Sequence, residues 1–402
     1  MIHGLRRAKL ITAVSKPPVV AMAGQFIRAV AILAILLSLS APVWAGIDEG
    51  VAALERGDYA TALQEFRPLA EQGDAGAQIN LGVMYEDGRG VPQDHAEAVK
   101  WFKMAAAQGN ARAQHNLGTM YDNGQGVPQD YAAAAKWFRK AAVQGNAEAQ
   151  HNLGFMYGHG EGVPRDYAEA VKWFRKAANQ GVAEAQYNLG VMYDNGDGVP
   201  RDYAAAAKWF REAANQGYAE AQYNLGLMYG HGEGVPRDYA EAVKWFREAA
   251  NQGYARAQYN LGLMYGHGEG VPRDYTEAVK WFRKAANQGV ARAQYNLGVM
   301  YDNGDGVPQD YAEAVKWYRE AAEQDLALAQ VHLGRMYYNG RGVPQDLVRA
   351  HMWFNLNASS LPVGPNQHQA VKNRDLVAKL MIPAQIAEAE RLAREWTAKH
   401  NR

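Results

Sequence analysis

The 402-residue sequence contains no cysteine, which excludes disulfides, thiolate metal sites, a cysteine nucleophile and a lipid-modified N-terminal cysteine. Net charge is missing as well, because 42 basic residues cancel 42 acidic ones. A nucleic-acid-binding chain needs a basic face or stripe, so no nucleic-acid partner is expected. No nucleophile elbow, phosphate loop or zinc-protease motif occurs. The expectation is a non-enzymatic protein with no cofactor and no metal. Long apolar runs are scarce too, and the one that stands out lies near the N-terminal end.

That run, Ile27 to Ser40, reads IRAVAILAILLSLS and is followed by APVWAG. Its fourteen residues fall short of the roughly 20 a spanning helix needs. With Val43 and Ala45 ahead of Gly46, residues 1–45 read as a secretory signal peptide cut after Ala45. The stretch before the run is long and holds Pro17-Pro18, whereas a start at Met22 would give an ordinary leader. Arg6-Arg7 lies too far upstream of the run for a twin-arginine signal. The expected location is periplasmic or secreted, in a bacterial envelope, with no stable membrane insertion after cleavage. An uncleaved anchor is the alternative.

What the chain has in abundance is repetition, which decides architecture before any single residue does. Tryptophan stands at 101, 137, 173, 209, 245, 281, 317 and 353, and proline at 92, 128, 164, 200, 236, 272, 308 and 344, each thirty-six residues from the last. The blocks that start at Tyr218 and Tyr254 differ only at Glu220/Arg256, Ala240/Thr276 and Glu248/Lys284. One compact core rarely grows beyond ~250–300 residues; an array avoids that limit, because each unit contacts only its neighbours.

Each unit breaks at glycines into two helical segments. In the block from Val182, Ala185, Leu189, Val191, Met192 and Tyr193 follow helical rather than alternating spacing; this is helix A. The turn Asp194 to Pro200, DNGDGVP, ends it. Asp202 occupies an N-cap position, and Asp94/Glu97, Asp166/Glu169, Asp238/Glu241, Asp274/Glu277 and Asp310/Glu313 have capping-box spacing. Helix B follows with Ala206, Phe210, Ala213 and Ala214 on one stripe and stops at Gly217. The tryptophans read as core, so Trp209→Ala is expected to cost about 3–5 kcal/mol.

The pattern Ala-x-Ala-x-x-x-Leu-Gly-x-x-Tyr, Gly-x-Gly-Val-Pro-x-Asp, Ala-x-x-Trp-Phe-x-x-Ala-Ala-x-x-Gly resembles the Sel1-like repeat, a relative of the tetratricopeptide repeat with a longer internal loop. The resemblance implies an all-α fold, a right-handed α-solenoid of stacked antiparallel helical hairpins. On this division residues 46–73 form a degenerate N-terminal capping hairpin that keeps Phe66, with Glu65 in place of tryptophan. Residues 74–360 hold eight repeats, and residues 361–402 form the C-terminal cap. There a Pro/Gly break spans Leu361 to Asn366, and a helix opens at Pro383 with Ile386, Ala389, Leu392 and Trp396 along one stripe.

The resemblance further implies a concave face lined by the A helices, with the residues flanking Leu-Gly pointing into it. Three ladders occupy those positions. Asparagine recurs at Asn80, Asn116, Asn152, Asn188, Asn224, Asn260 and Asn296; beside it run Ile79, His115, His151, Tyr187, Tyr223, Tyr259, Tyr295 and Val331. One turn on come Val83, Thr119, Phe155, Val191, Leu227, Leu263, Val299 and Arg335. The candidate partner-binding residues are Asn116, Asn152, Asn188, Asn224, Asn260, Asn296, His115, His151, Tyr187, Tyr223, Tyr259 and Tyr295. Amides can bond a repeating peptide backbone, and tyrosines add rigid contact area at low entropic cost. The rival role for the asparagines is to hold adjacent helices together, and an open groove makes Tyr223→Ala nearly neutral for stability.

The predicted function is an exported, non-enzymatic interaction scaffold or regulator of envelope proteins with a protein or peptide partner. The alternatives are a peptidoglycan or glycan binder and, less favoured, a hydrolase acting on the wall or on β-lactams. Loop motifs such as DNGDG at Asp194 and GHGEG with His159, His231 and His267 lack a complete metal-ligand set. If the leader is cleaved as expected, the exported chain begins at Gly46; N-terminal sequencing of that chain checks this, and a chain that retains Ile27 to Ser40 sinks it.

Overall fold

The computed structural model describes residues 43–362 and 364–400. All of residues 1–45 except the last three, and with them the leader and the choice of start, lie outside the described residues. All regular structure among these residues is helical. The first eight helices are α1 Val43–Glu55, α2 Tyr59–Glu71, α3 Ala75–Asp87, α4 His95–Ala107, α5 Ala111–Asn123, α6 Tyr131–Val143, α7 Ala147–His159 and α8 Tyr167–Asn179. Then come α9 Ala183–Asn195, α10 Tyr203–Asn215, α11 Ala219–His231, α12 Tyr239–Asn251, α13 Ala255–His267, α14 Tyr275–Asn287, α15 Ala291–Asn303, α16 Tyr311–Ala322, α17 Ala327–Asn339, α18 Leu347–Ser360, α19 Pro365–Ala378 and α20 Pro383–His400. The chain divides into two units, with α1 to α8 before residue 183 and α9 to α20 after it. Within each unit consecutive helices pack on one another as far as α18, which holds both α19 and α20. Each unit is an α-solenoid of paired hairpins.

The hairpin of α11 and α12 shows why these residues fold this way. Helix α11 ends at Gly232, whose φ of 78° is left-handed, and the N–H groups of Gly232 and Glu233 both donate to the Met228 carbonyl, at 2.8 and 3.0 Å. Two residues on, Gly234 is also left-handed, and a Cβ there would lie 2.1 Å from the carbonyl oxygen of Tyr203, the first residue of α10. Glycine therefore lets the loop of one repeat sit on the helix B of the repeat before it.

Asp238 then caps α12, its Oδ1 accepting from Ala240 N–H at 2.9 Å and Glu241 N–H at 3.1 Å. The full capping box predicted at such pairs does not form. The cap residue's own N–H is already taken by the Tyr229 carbonyl at 2.9 Å, so Glu241 turns to Lys244 at 3.5 Å instead. The other four pairs behave alike, with Glu97, Glu169, Glu277 and Glu313 joined to Lys100, Lys172, Lys280 and Lys316.

The core lies between neighbouring helices. Leu225, Phe246, Ala242, Ala249 and Ala250 are buried. A Cβ on Gly226 would fall 2.7 Å from the Phe246 ring, so the Leu-Gly glycine sets the approach of helix A to helix B. The tryptophan ladder is less uniform than expected. Trp173, Trp245, Trp281 and Trp353 are buried, whereas Trp101, Trp137, Trp209 and Trp317 are half-buried. The loss of about 3–5 kcal/mol therefore belongs to Trp245→Ala, and Trp209→Ala costs less.

Toward the C-terminal end the pattern is filled differently. Asp325 holds the left-handed position that glycine takes in the other repeats, with φ of 59°. The expected break from Leu361 is shorter than predicted, because α19 starts within it at Pro365. Helix α20 buries Ala389 and Ala393 and sets Trp396 edge-on against Trp353, centroids 6.1 Å apart.

Two glycines of α11 should answer substitution with opposite signs. Gly226→Ala forces its methyl into Phe246 and should lose about 1–3 kcal/mol, the usual cost of overpacking. Gly230→Ala meets only the Ala242 methyl at 4.0 Å and should gain up to about 0.5–1 kcal/mol. Urea denaturation of both variants checks the pair, and equal effects would refute the close-approach role.

Candidate interaction face of the A helices

The twelve candidate residues all lie on the A helices, five and six residues from the start of each. His151 is buried, and the other eleven are half-buried. Each ring rests on the helix B aromatic of its own repeat. His115 meets Phe138 at 5.7 Å, His151 meets Phe174 at 5.7 Å and Tyr187 meets Phe210 at 5.8 Å between centroids. Tyr223 meets Phe246 at 5.8 Å, Tyr259 meets Phe282 at 6.0 Å and Tyr295 meets Tyr318 at 5.9 Å.

Asn152, Asn224 and Asn260 reach toward the preceding repeat. Asn152 Nδ2 lies 3.2 Å from His115 Nε2, Asn224 pairs with the Tyr187 hydroxyl, and Asn260 pairs with Tyr223. His332, which stands where asparagine recurs, keeps the arrangement with Nε2 3.3 Å from the Tyr295 hydroxyl. These three amides thus tie successive A helices and hold the rings at fixed angles, whatever else they do. Tyr223 also touches Tyr254, centroids 5.2 Å apart, so Tyr223→Ala should destabilise rather than pass unnoticed.

Burial pushes the phenols of Tyr187, Tyr223 and Tyr295 above the ordinary tyrosine value. Burial, aided by nearby Arg335, holds His332 below the usual histidine range. Tyr187, Tyr223 and Tyr295 are neutral at physiological pH, and the face can offer stacking surface and hydrogen bonds. One turn on, Val191, Leu227, Leu263 and Val299 are half-buried, while Phe155 and Arg335 are exposed.

The loop histidines His159 and His231 are engaged within the protein, and His159 stacks on the Phe155 ring of this face, centroids 4.0 Å apart. His159 Nδ1 bonds to the Phe155 carbonyl at 3.0 Å, and His231 stands 4.0 Å from Glu233. Among the described residues no group of three histidine, aspartate or glutamate side chains converges as a metal would require. No helix among them is long and apolar enough to cross a membrane. A cavity of about 210 Å³ lined by Arg335, Tyr338, Phe354 and Leu376 is below the ~300–1,000 Å³ of usual small-molecule sites.

The Sel1 repeat model matches eight consecutive segments, 75–110, 111–146, 147–182, 183–218, 219–254, 255–290, 291–326 and 327–359. Among solved structures the chain is similar to a Sel1 repeat protein from Oxalobacter formigenes, with 38% identity and a TM-score of 0.59 over 77% of this chain and 89% of that one. It is also similar to c5321 of uropathogenic Escherichia coli, described as a protective antigen with an SLR fold. That match has 33% identity and a TM-score of 0.51 over 93% of this chain and 95% of the other. No curated protein matches the chain.

A further ladder escaped the sequence reading. Gln78, Gln114, Gln150, Gln186, Gln222, Gln258, Gln294 and Gln330 are all buried. Gln258 is typical: Nε2 donates to the Ala250 carbonyl at 3.1 Å, and Oε1 accepts from Gln288 Nε2 at 2.8 Å. The signal was present as two glutamines thirty residues apart in each repeat, but polar residues on a small apolar helix suggest a surface. The ladder ends at Gln330, because Ser360 stands where the partner glutamine would be, and neither polar atom of its amide meets a protein partner. Gln258→Leu should therefore lose about 1–3 kcal/mol, since it removes both hydrogen bonds of the buried amide at about 0.5–1.5 kcal/mol each, whereas Gln330→Leu should be neutral or stabilising. Thermal melts of the two variants test this, and a large loss at Gln330 would disprove the asymmetry.

Proposed function

The chain belongs to the Sel1 repeat family, and we propose that it is exported to the bacterial envelope, where it acts as a non-catalytic scaffold or regulator. Proteins built from Sel1 and related tetratricopeptide-like repeats are generally protein-interaction scaffolds, and membership supports a protein partner. The proposal adds the compartment and the surface, namely the A-helix face carrying the histidine, tyrosine and asparagine rungs.

One observation carries the choice of surface. The phenylalanine, Leu-Gly and glutamine ladders are closed off inside the repeats, while the positions that change identity along the array, 119 to 335 throughout and 115 to 295 except at His151, keep accessible surface. A framework must hold its buried rungs constant; a recognition surface must vary. Aromatic residues with part of the ring open and the rest fixed by packing are suited to this, because little freedom is lost when a partner docks. The candidate leader at residues 1–45 supports the envelope as the compartment.

The direct test immobilises residues 46–402 and captures from envelope extract. Two variants run beside the parent, Asn224→Ala/Asn260→Ala on the A-helix face and Lys244→Gln/Lys280→Gln on helix B, each shown to be folded by circular dichroism. The expected result is one partner retained by the parent and by the lysine variant and lost by the asparagine variant. Equal retention by all three would move the site off the A-helix face.

A further inference from the structure

The residue that opens each A helix changes character along the chain. Asp74, Asn110 and Asn146 cap their helices, accepting backbone N–H groups at 2.8, 3.0 and 2.7 Å. Tyr218 and Tyr254 hold the same position with no side-chain cap, although Asp, Asn and Ser are the residues that stabilise a helix start. What stands there instead is a phenol laid on the tyrosine of the preceding repeat. Tyr218 lies 5.1 Å from Tyr187 and Tyr254 lies 5.2 Å from Tyr223 between centroids. The four rings are half-buried and form an aromatic ribbon.

Charge along this ribbon is ordered. The second residue of the A helices is Glu184, then Glu220, then Arg256, then Arg292. Glu184, Arg256 and Arg292 are exposed and Glu220 is half-buried. The reversal from Glu220 to Arg256 is one of only three differences between two otherwise identical repeats. Both sides act on the rings: burial raises the Tyr218 and Tyr223 phenols, Glu220 adds to the rise at Tyr218, and Arg256 opposes it at Tyr223. With neighbouring helices ~8–10 Å apart, the centres of the acidic and basic pairs are roughly 16–20 Å apart. That is the reach of about five or six extended residues at ~3.3 Å each.

Resting on the scaffold reading above, we propose that this ribbon seats an extended peptide segment of a partner protein, with basic residues over Glu184 and Glu220, apolar residues on the tyrosines and acidic residues over Arg256 and Arg292. A neutral glycan would make no use of the charge reversal, and a nucleic acid would be repelled at the glutamate end. A peptide is the polymer that carries both signs within this length.

The test is peptide-display selection on the full-length chain and two variants. One reverses the charges, Glu184→Arg, Glu220→Arg, Arg256→Glu and Arg292→Glu. The other, Tyr218→Asn/Tyr254→Asn, restores the capping residue found at 110 and 146 and should melt no lower than the parent. The parent should enrich sequences with a basic and an acidic end separated by a short apolar stretch, and the charge-reversed variant should enrich the opposite end-to-end order. The tyrosine variant should bind the parent's peptides at least about tenfold more weakly, equivalent to about 1.4 kcal/mol. If both variants bind those peptides as the parent does, the ribbon is not the site although the scaffold reading survives. If no protein enriches any peptide, that reading fails with it. Binding of isolated sacculi that the tyrosine variant loses, with peptide binding unchanged, would assign the ribbon to a glycan and overturn the proposal.

Discussion

A phenyl ring lying on a glycine is the contact on which the rest of these repeats depends. Across the repeats a Cβ placed on the glycine of Leu-Gly would stand 2.6–2.8 Å from the aromatic ring of helix B, and the first hairpin repeats the contact between Gly50 and Phe66 at 2.5 Å. No side chain fits there, so helix A presses its backbone onto the ring, and the ring fills the space that alanine-rich helices would leave open. Once that distance is fixed, other groups fall into register. The buried glutamine amide reaches the end of the preceding helix B. Arginine on helix B reaches the tyrosine hydroxyl of the next helix A, as for Arg211 with Tyr229 at 2.8 Å and Arg247 with Tyr265 at 2.9 Å.

The same contact explains why the candidate residues of the A helices sit where they do. The helix B aromatic is covered on one side by glycine and on another by the histidine or tyrosine two residues before Leu-Gly. The outer face of that second ring is what remains open. Its angle is set from below by the phenylalanine and from the side by the next repeat's asparagine. Asparagine is therefore shared between framework and surface, which is why its constancy along the chain did not by itself tell the two roles apart.

Much of this was legible in the sequence because a fixed period compares the chain with itself. Helix boundaries, the Asp202 cap and the left-handed Gly217 follow from local chemistry that one repeat displays and the others reiterate. What escaped depends on partners distant in sequence. The capping box failed at Asp238 because a carbonyl nine residues back, on Tyr229, had already taken the cap's N–H. The glutamine spine was missed because an amide's burial is decided by two other helices. Burial of the tryptophans varies although their sequence context hardly does, and spacing gives no access to that difference.

A chain this repetitive has little room to encode specificity. Most of the thirty-six positions are committed to ring-on-glycine contacts, caps, turns and the amide spine, and a change at one of them costs stability rather than altering preference. Distinct repeats differ where side chains emerge from the framework, and on the A-helix face those places are the second residue of helix A, its ring position, the position one turn on, and the residue that opens the helix. The two most similar repeats differ at a single A-helix position, Glu220 against Arg256, and there the charge inverts. Duplication that preserves the framework while changing sign at an emergent position yields a surface that is uniform in shape and ordered in charge.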